Sequence, residues 1–227
     1  DYLGESRGWP QTVKCRGVVA DAAGFLKESY WWMRSWWLSR VPLSDPGRPP
    51  LADARTCYIP ETWHAGVRAN GTALPAVRTV HVYTDAPFVR LELNGAIVAP
   101  PTAVPPFGNA QFSVRFAPGN LTAVALDASG RHVLASYSAL THGVAVALRL
   151  SLDAPSAATG TGTAVVADGE DVAMVRAEVV DASGRLVADA SHEVTFEIVS
   201  GGGAVWGTHS GNPADLHPHR PARRAYH

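Results

Sequence analysis

The chain changes its hydrophobic period once. Between Asp21 and Leu38 the apolar residues fall at helical spacing. Tyr30, Met33 and Trp37 lie at i, i+3, i+7, and Trp32 and Trp36 at i, i+4. The two stripes adjoin, which predicts a helix that is apolar over most of its girth and buried on more than one side. From Arg78 the period is two. Val80 and Val82 alternate with His81 and Tyr83, and Val89, Leu91 and Leu93 alternate with Arg90 and Glu92. Asn94-Gly95 then reads as a hairpin turn. Phe112, Val114 and Phe116 alternate up to Pro118-Gly119. Leu121 to Leu126 and Arg131 to Tyr137 are two more predicted strands, joined across Asp127-Ala-Ser-Gly130. Strands at roughly ten-residue spacing, punctuated by Gly, Asn and Pro, predict an antiparallel sandwich.

A second unit of the same kind starts near Ala145. Leu148, Leu150 and Leu152 alternate, as do Val175, Ala177 and Val179, and then Val194, Phe196 and Ile198. One local repeat links the units. Asp127-Ala-Ser-Gly-Arg-His-Val133 and Asp181-Ala-Ser-Gly-Arg-Leu-Val187 both read as strand-turn-strand hairpins. Between the helix and the first strands, Val41-Pro-Leu-Ser-Asp-Pro-Gly-Arg-Pro-Pro50 breaks regular structure, because proline lacks a backbone donor and fixes φ. The expected organisation is therefore a helix-bearing segment at 1–40 and a connecting segment at 41–77 with one strand. A first sandwich follows at 78–145 and a second at 146–227. The second holds too few strands to close, so it is expected to be truncated.

Composition adds mostly exclusions. Nineteen Lys+Arg against twenty Asp+Glu leave a net charge of −1, which gives no case for nucleic acid or an anionic membrane surface. No apolar run approaches the ~18 residues of a membrane span. Cys15 and Cys57 make neither a disulfide framework nor a zinc site by spacing. His209, His217, His219 and His227 lack acidic or Cys neighbours at fixed spacing, so no metal and no cofactor is expected. Asn70-Gly-Thr72 and Asn120-Leu-Thr122 match the glycosylation sequon, which is compatible with secretion but fixes no compartment. Two carboxylates and two aromatics, Asp1, Tyr2, Glu5 and Trp9, crowd the first nine residues around a glycine. They suit a loop lining a polar pocket, and more simply a solvated loop with ordinary surface carboxylates.

The order of these parts resembles the C-terminal portion of family-two glycoside hydrolases of the β-galactosidase type. Asp1-Tyr-Leu-Gly-Glu5 resembles the segment at that family's last barrel strand. Gly24-Phe25, Lys27-Glu-Ser-Tyr30 and Trp36-Trp37 resemble the signature of its last barrel helix, with Leu26 where proline is usual. His81 to Ala86 and Val89 to Gly95 resemble the first hairpin of the sandwich that follows, and Pro118 to Ala123 a later turn and strand. Asp168 to Asp171, Val179 to Asp181, Val194 to Phe196 and Arg223 to Tyr226 resemble the last sandwich. The chain departs from the pattern in Gly207 to Pro213, where Ser210 and Asn212 replace Asn and Asp.

The resemblance implies a mainly β chain: two immunoglobulin-like sandwiches preceded by the last strand, loop and helix of a truncated (β/α)8 barrel. It implies retaining hydrolysis of β-galactoside-like substrates, with both catalytic carboxylates on barrel strands upstream of Asp1. No residue of this chain is then catalytic, and the chain alone is expected to be inactive. Asp1, Tyr2, Glu5 and Trp9 become substrate-binding candidates at the barrel's C-terminal rim, although Tyr2 also suits a packing role. The expected partners are a carbohydrate substrate and the barrel of the same polypeptide. Residues 16 to 25 lack the Asn-x-Lys pair with which β-glucuronidases grip a carboxylate, which favours a neutral sugar. A competing reading, a non-catalytic carbohydrate-binding or adhesion module, gives the aromatic helix no role.

Overall fold

A computed structural model describes residues 19–20, 25–42, 44–46, 55–66, 73–106, 109–152, 172–210 and 222–224. Asp1, Tyr2, Glu5 and Trp9 lie outside these residues, as does Asn70. The chain divides into two compact units, the first running to Thr141 and the second beginning at His142.

The first unit opens with the only helix among the described residues, α1 (Glu28–Arg40). Its strands are β1 (Cys57–Tyr58), β2 (Val77–Thr84), β3 (Phe88–Leu93), β4 (Ala96–Ala103), β5 (Asn109–Arg115), β6 (Asn120–Leu126) and β7 (Val133–Leu140). They form two antiparallel sheets, in the orders β1-β2-β5 and β4-β3-β6-β7. The alternation read from the sequence decides which side chains turn inward. Val80 and Val82 of one sheet, and Val89, Leu91, Leu121 and Ala123 of the other, are fully buried and share one apolar cluster with Ala110, Val114 and Trp63. Trp63 closes that cluster at one side. Its indole N–H donates to the Ala117 carbonyl at 3.0 Å, so a large apolar side chain is buried with its polar atom satisfied. The Arg78 guanidinium lies over the Phe116 ring, 3.8 Å from its centroid, and 5.3 Å from that of Trp63.

The turns follow local chemistry. Asn94 and Gly95 both have positive φ, 53° and 81°, as a two-residue turn between β3 and β4 requires. Asn94 also reaches across to the Pro118-Gly119 turn. Its Nδ2 donates to the Pro118 carbonyl at 3.0 Å, and its Oδ1 accepts the Asn120 N–H at 2.8 Å. Gly119, at φ 135°, leaves room for this, since a Cβ there would run into the Asn94 carboxamide.

The second unit carries two two-stranded antiparallel sheets among the described residues. β8 (Ala147–Leu152) pairs with β9 (Val175–Val180), and β10 (Glu193–Thr195) with β11 (Ala222–Arg224). The strand expected over Val194 to Ile198 is shorter than its pattern, ending at Thr195. Val179, Val187 and Val194 form a small buried cluster, with Ala177 and Phe196 against it. Leu148, Leu150 and Leu152 alternate as expected, yet all three remain exposed.

The repeated Asp-Ala-Ser-Gly-Arg segments adopt related turns whose closing bonds differ by one residue. Asp127 N–H donates to the His132 carbonyl and Asp181 N–H to that of Arg185. The Gly130 and Gly184 N–H groups return to the Asp127 and Asp181 carbonyls. Each aspartate Oδ1 accepts two or more backbone N–H groups: Ser129, Arg131 and His132 in one turn, Ser183 and Arg185 in the other. Donors aimed at a carboxylate favour its ionised form. The Ser129 hydroxyl, with the Arg131 and His132 amides, pulls the Asp127 carboxyl down to about 2. Amides from Gly143, Arg185 and Ser183 lower Asp181. A depressed carboxyl stabilises the fold above its unfolded value, and that contribution disappears as pH falls toward the folded value. The urea midpoint should therefore drop as pH is lowered from about 5 toward 2. Asp127→Asn, measured over the same series, should flatten this acid limb while lowering the midpoint at neutral pH.

Candidate functional site

The helix meets the first sheet through a seam that is more polar than its sequence suggests. The seated face is Trp31, Arg34, Ser35 and Leu38, at i, i+3, i+4, i+7, rather than either stripe of the remaining aromatics. Ser35 is fully buried and Leu38 nearly so. The Ser35 hydroxyl is satisfied within the helix, donating to the Trp32 carbonyl at 2.7 Å. Trp37 is 57% exposed, and Trp32, Met33 and Trp36 are only partly covered. The most deeply buried side of α1 is thus not the aromatic stripe that the sequence favours. α1 rests on the sheet with one side, and that side includes two polar residues because they bond rather than merely pack.

Arg34 makes the principal bond. Its guanidinium donates to the Thr56 hydroxyl at 2.7 Å and to the Arg55 carbonyl at 3.2 Å. Residues 55 and 56 are in turn held by Asp85, just beyond the end of β2. The Asp85 side chain is completely buried. Its Oδ1 accepts the Thr56 N–H at 2.5 Å, and its Oδ2 pairs with the Arg55 guanidinium at 3.1 Å. The Thr84 hydroxyl donates to the Thr56 carbonyl at 2.7 Å. A buried carboxylate is tolerable only when it is charge-paired and hydrogen-bonded, and both conditions hold.

Beside this seam stands an aromatic group. Trp31 stacks on Tyr58, with centroids 4.8 Å apart and planes at 15°, and Tyr58 in turn contacts Tyr137 at 4.9 Å. Tyr58 lies directly across the β1–β2 ladder from Tyr83. Two residues before Tyr83, and so on the same face of β2, His81 is gripped by Glu61. One Glu61 oxygen meets Nδ1 at 2.5 Å and the other accepts the His81 N–H at 3.0 Å. Burial, then the neighbouring Tyr137, Glu28, Tyr83 and Glu61, push the Tyr58 phenol up to about 12. Burial and the same two carboxylates raise Tyr83. Cys57, the next residue along β1, points the other way. It is a free thiol, and burial pushes it up to about 12, which marks packing rather than nucleophilic chemistry.

Sequence reasoning did not identify this arrangement. Tyr58 and Tyr83 are joined only by strand register, and Arg34 carries no motif. Several carboxylates with defined partners serve the fold: Asp85 and the two turn aspartates as above, Glu92 with Arg90, and Glu178 with Arg149. Among the described residues no helix is long and apolar enough to cross a membrane.

Comparison with known proteins gives the family context. Residues 157–227 match the family described as glycoside hydrolase family 2 C-terminal domain 5. Residues 76–134 match one described as a domain of unknown function, DUF4982. The chain is 28% identical over 226 residues to the β-galactosidase BoGH2A of Bacteroides ovatus, a match covering 99% of this chain and 23% of that protein. Among solved structures, a glycosyl hydrolase family 2 member from Bacteroides cellulosilyticus superposes with a TM-score of 0.70 at 21% identity, over 91% of this chain and 27% of that one. A β-glycosidase from Bacteroides vulgatus gives 0.69 at 19% identity, over 92% of this chain and 23% of its own. These structures share the fold. The chain spans about a quarter of the length of the proteins it matches, and what it is similar to is a C-terminal part of family-two glycoside hydrolases.

The seam itself is directly testable. Asp85→Ala would leave the Arg55 guanidinium without its carboxylate and the Thr56 amide without its acceptor. It should cost about 2 to 3 kcal/mol by urea denaturation. Trp31 fluorescence should also change, because the Thr56 anchor for Arg34 would no longer be held in place.

Proposed function

We propose that this chain is the C-terminal part of a retaining glycoside hydrolase that acts on β-galactoside-like substrates. In this reading α1 is the last helix of a (β/α)8 catalytic barrel, to which residues 1–40 belong. Residues 41–77 connect it to two immunoglobulin-like sandwiches at 78–145 and 146–227. Asp1, Tyr2, Glu5 and Trp9 border the substrate at the barrel rim. The nucleophile and the acid/base, which retaining chemistry needs about 5 Å apart, stand on barrel strands beyond these 227 residues.

The colinear match to a β-galactosidase over 99% of the chain carries the proposal, because it includes the helix as well as the strands. The exposed side of α1 supports it. Trp37, at 57% exposure, is apolar surface of the kind a neighbouring layer covers, and so is Leu26 just ahead of the helix. The two facing sheets of the first unit and their shared core fit the sandwich assignment.

A nitrophenyl β-D-galactoside assay tests the division of labour. The 227-residue chain should give no turnover, and a polypeptide that also carries the barrel should hydrolyse the substrate. Turnover by the chain alone would show that its own carboxylates are catalytic. An inactive longer polypeptide that still binds galactosides would favour a carbohydrate-binding module.

A further inference from the structure

The tyrosine group beside the helix has a property that the seam does not explain. Tyr58 from β1, Tyr83 from β2 and Tyr137 from β7 are each only partly buried. None of the three hydroxyls has a hydrogen-bond partner among the described residues, and none is a sealed, unsatisfied atom. Tyrosines kept for packing alone would carry their hydroxyls at a cost or satisfy them internally. Here neither is the case. Glu28 stands in the first turn of α1, three residues before Trp31 and therefore on the same side of the helix. Glu61 is fixed next to Tyr83 by both of its bonds to His81. Phenol hydroxyls and two carboxylates thus border a rigid aromatic stack.

We infer that Tyr58, Tyr83 and Tyr137, with Glu28 and Glu61, form a binding patch for a neutral sugar. The assignment follows from what the groups can recognise. Carboxylates accept hydrogen bonds from sugar hydroxyls, and phenols both donate and accept. The aromatic stack offers an apolar edge to the C–H face of a pyranose. Two carboxylates disfavour phosphate, sulfate or uronic acid ligands. Phenols are protonated at neutral pH, so these three can donate to a sugar hydroxyl and are poor anionic ligands for a metal ion. The rings are held by strand pairing and stacking before any ligand arrives, so binding orders few side chains. Only the choice of galactoside as probe rests on the hydrolase reading.

The test is a titration of the isotope-labelled 227-residue chain with methyl β-D-galactopyranoside, raised to about 50 mM and followed by NMR, a range that covers millimolar binding. Saturable shifts should localise to Tyr58, Tyr83, Tyr137 and the first turn of α1. The double variant Tyr58→Phe, Tyr83→Phe keeps both rings and should weaken binding about tenfold or more with little change in melting temperature. Glu28→Gln, at an exposed position, should weaken it by a smaller factor. Four results would overturn the proposal: no saturable shift, shifts elsewhere on the chain, undiminished binding by the double variant, or the same shifts with calcium chloride and no sugar. Each of these leaves the hydrolase reading standing, since turnover of the nitrophenyl galactoside is measured independently.

Discussion

A single buried carboxylate positions most of what is distinctive in the first unit. Asp85 follows β2 directly and has no contact with water through its side chain. Left unpaired it would destabilise the fold severely, so the chain must bring donors to it. Those donors are the Arg55 guanidinium and the Thr56 amide, and recruiting them draws residues 55 and 56 alongside the end of β2. Once they are there, Cys57 and Tyr58 can pair only with Thr84 and Tyr83. The two-residue strand β1 is too short to define its own register, and the ion pair next to it does so instead. Arg34 then bonds to the same two residues, so the helix inherits its position from the same carboxylate.

Apolar and polar forces therefore have different tasks in this unit. The two sheets are held by a dry core of Val, Leu and Ala with Trp63 at its side, where burial supplies the stabilisation. The helix adds nothing to that core, since its buried Leu38 lies outside the cluster. Its attachment depends on directional bonds and one ring stack. This explains how a helix with four tryptophans among thirteen residues can be well anchored while much of its indole surface remains accessible.

Much of the strand framework was legible in the sequence because its signals are local. Alternation over Val80–Val82 and Val89–Leu93, with Asn-Gly and Pro-Gly turns, gave both elements and faces. The helix was legible as an element but not as a face. Hydrophobic periodicity ranks Trp32, Trp36 and Trp37 above Arg34 and Ser35, whereas the contacts reverse that order, because a guanidinium with two fixed acceptors outweighs indoles that are only partly covered. Tyr58 meeting Tyr83, and Asp85 meeting residues 55 and 56, depend on pairing between segments about thirty positions apart, which no window along the chain can see. In the second unit the pattern over Val194 to Ile198 extends past the strand, which shows that alternation marks competence for pairing and not pairing itself. The candidates at Asp1, Tyr2, Glu5 and Trp9 lie outside the described residues.

The Arg34 contact also has a geometric consequence. Apolar packing between a helix and a sheet tolerates a few degrees of roll about the helix axis at small cost, because one methyl group substitutes for another. A guanidinium that reaches a hydroxyl and a carbonyl on adjacent residues does not tolerate it. Rolling α1 would lengthen both bonds and unstack Trp31 from Tyr58 at the same time. The helix is thus indexed in azimuth as well as in position, and a layer resting on its outer indoles would receive a fixed angular reference from the sheet beneath.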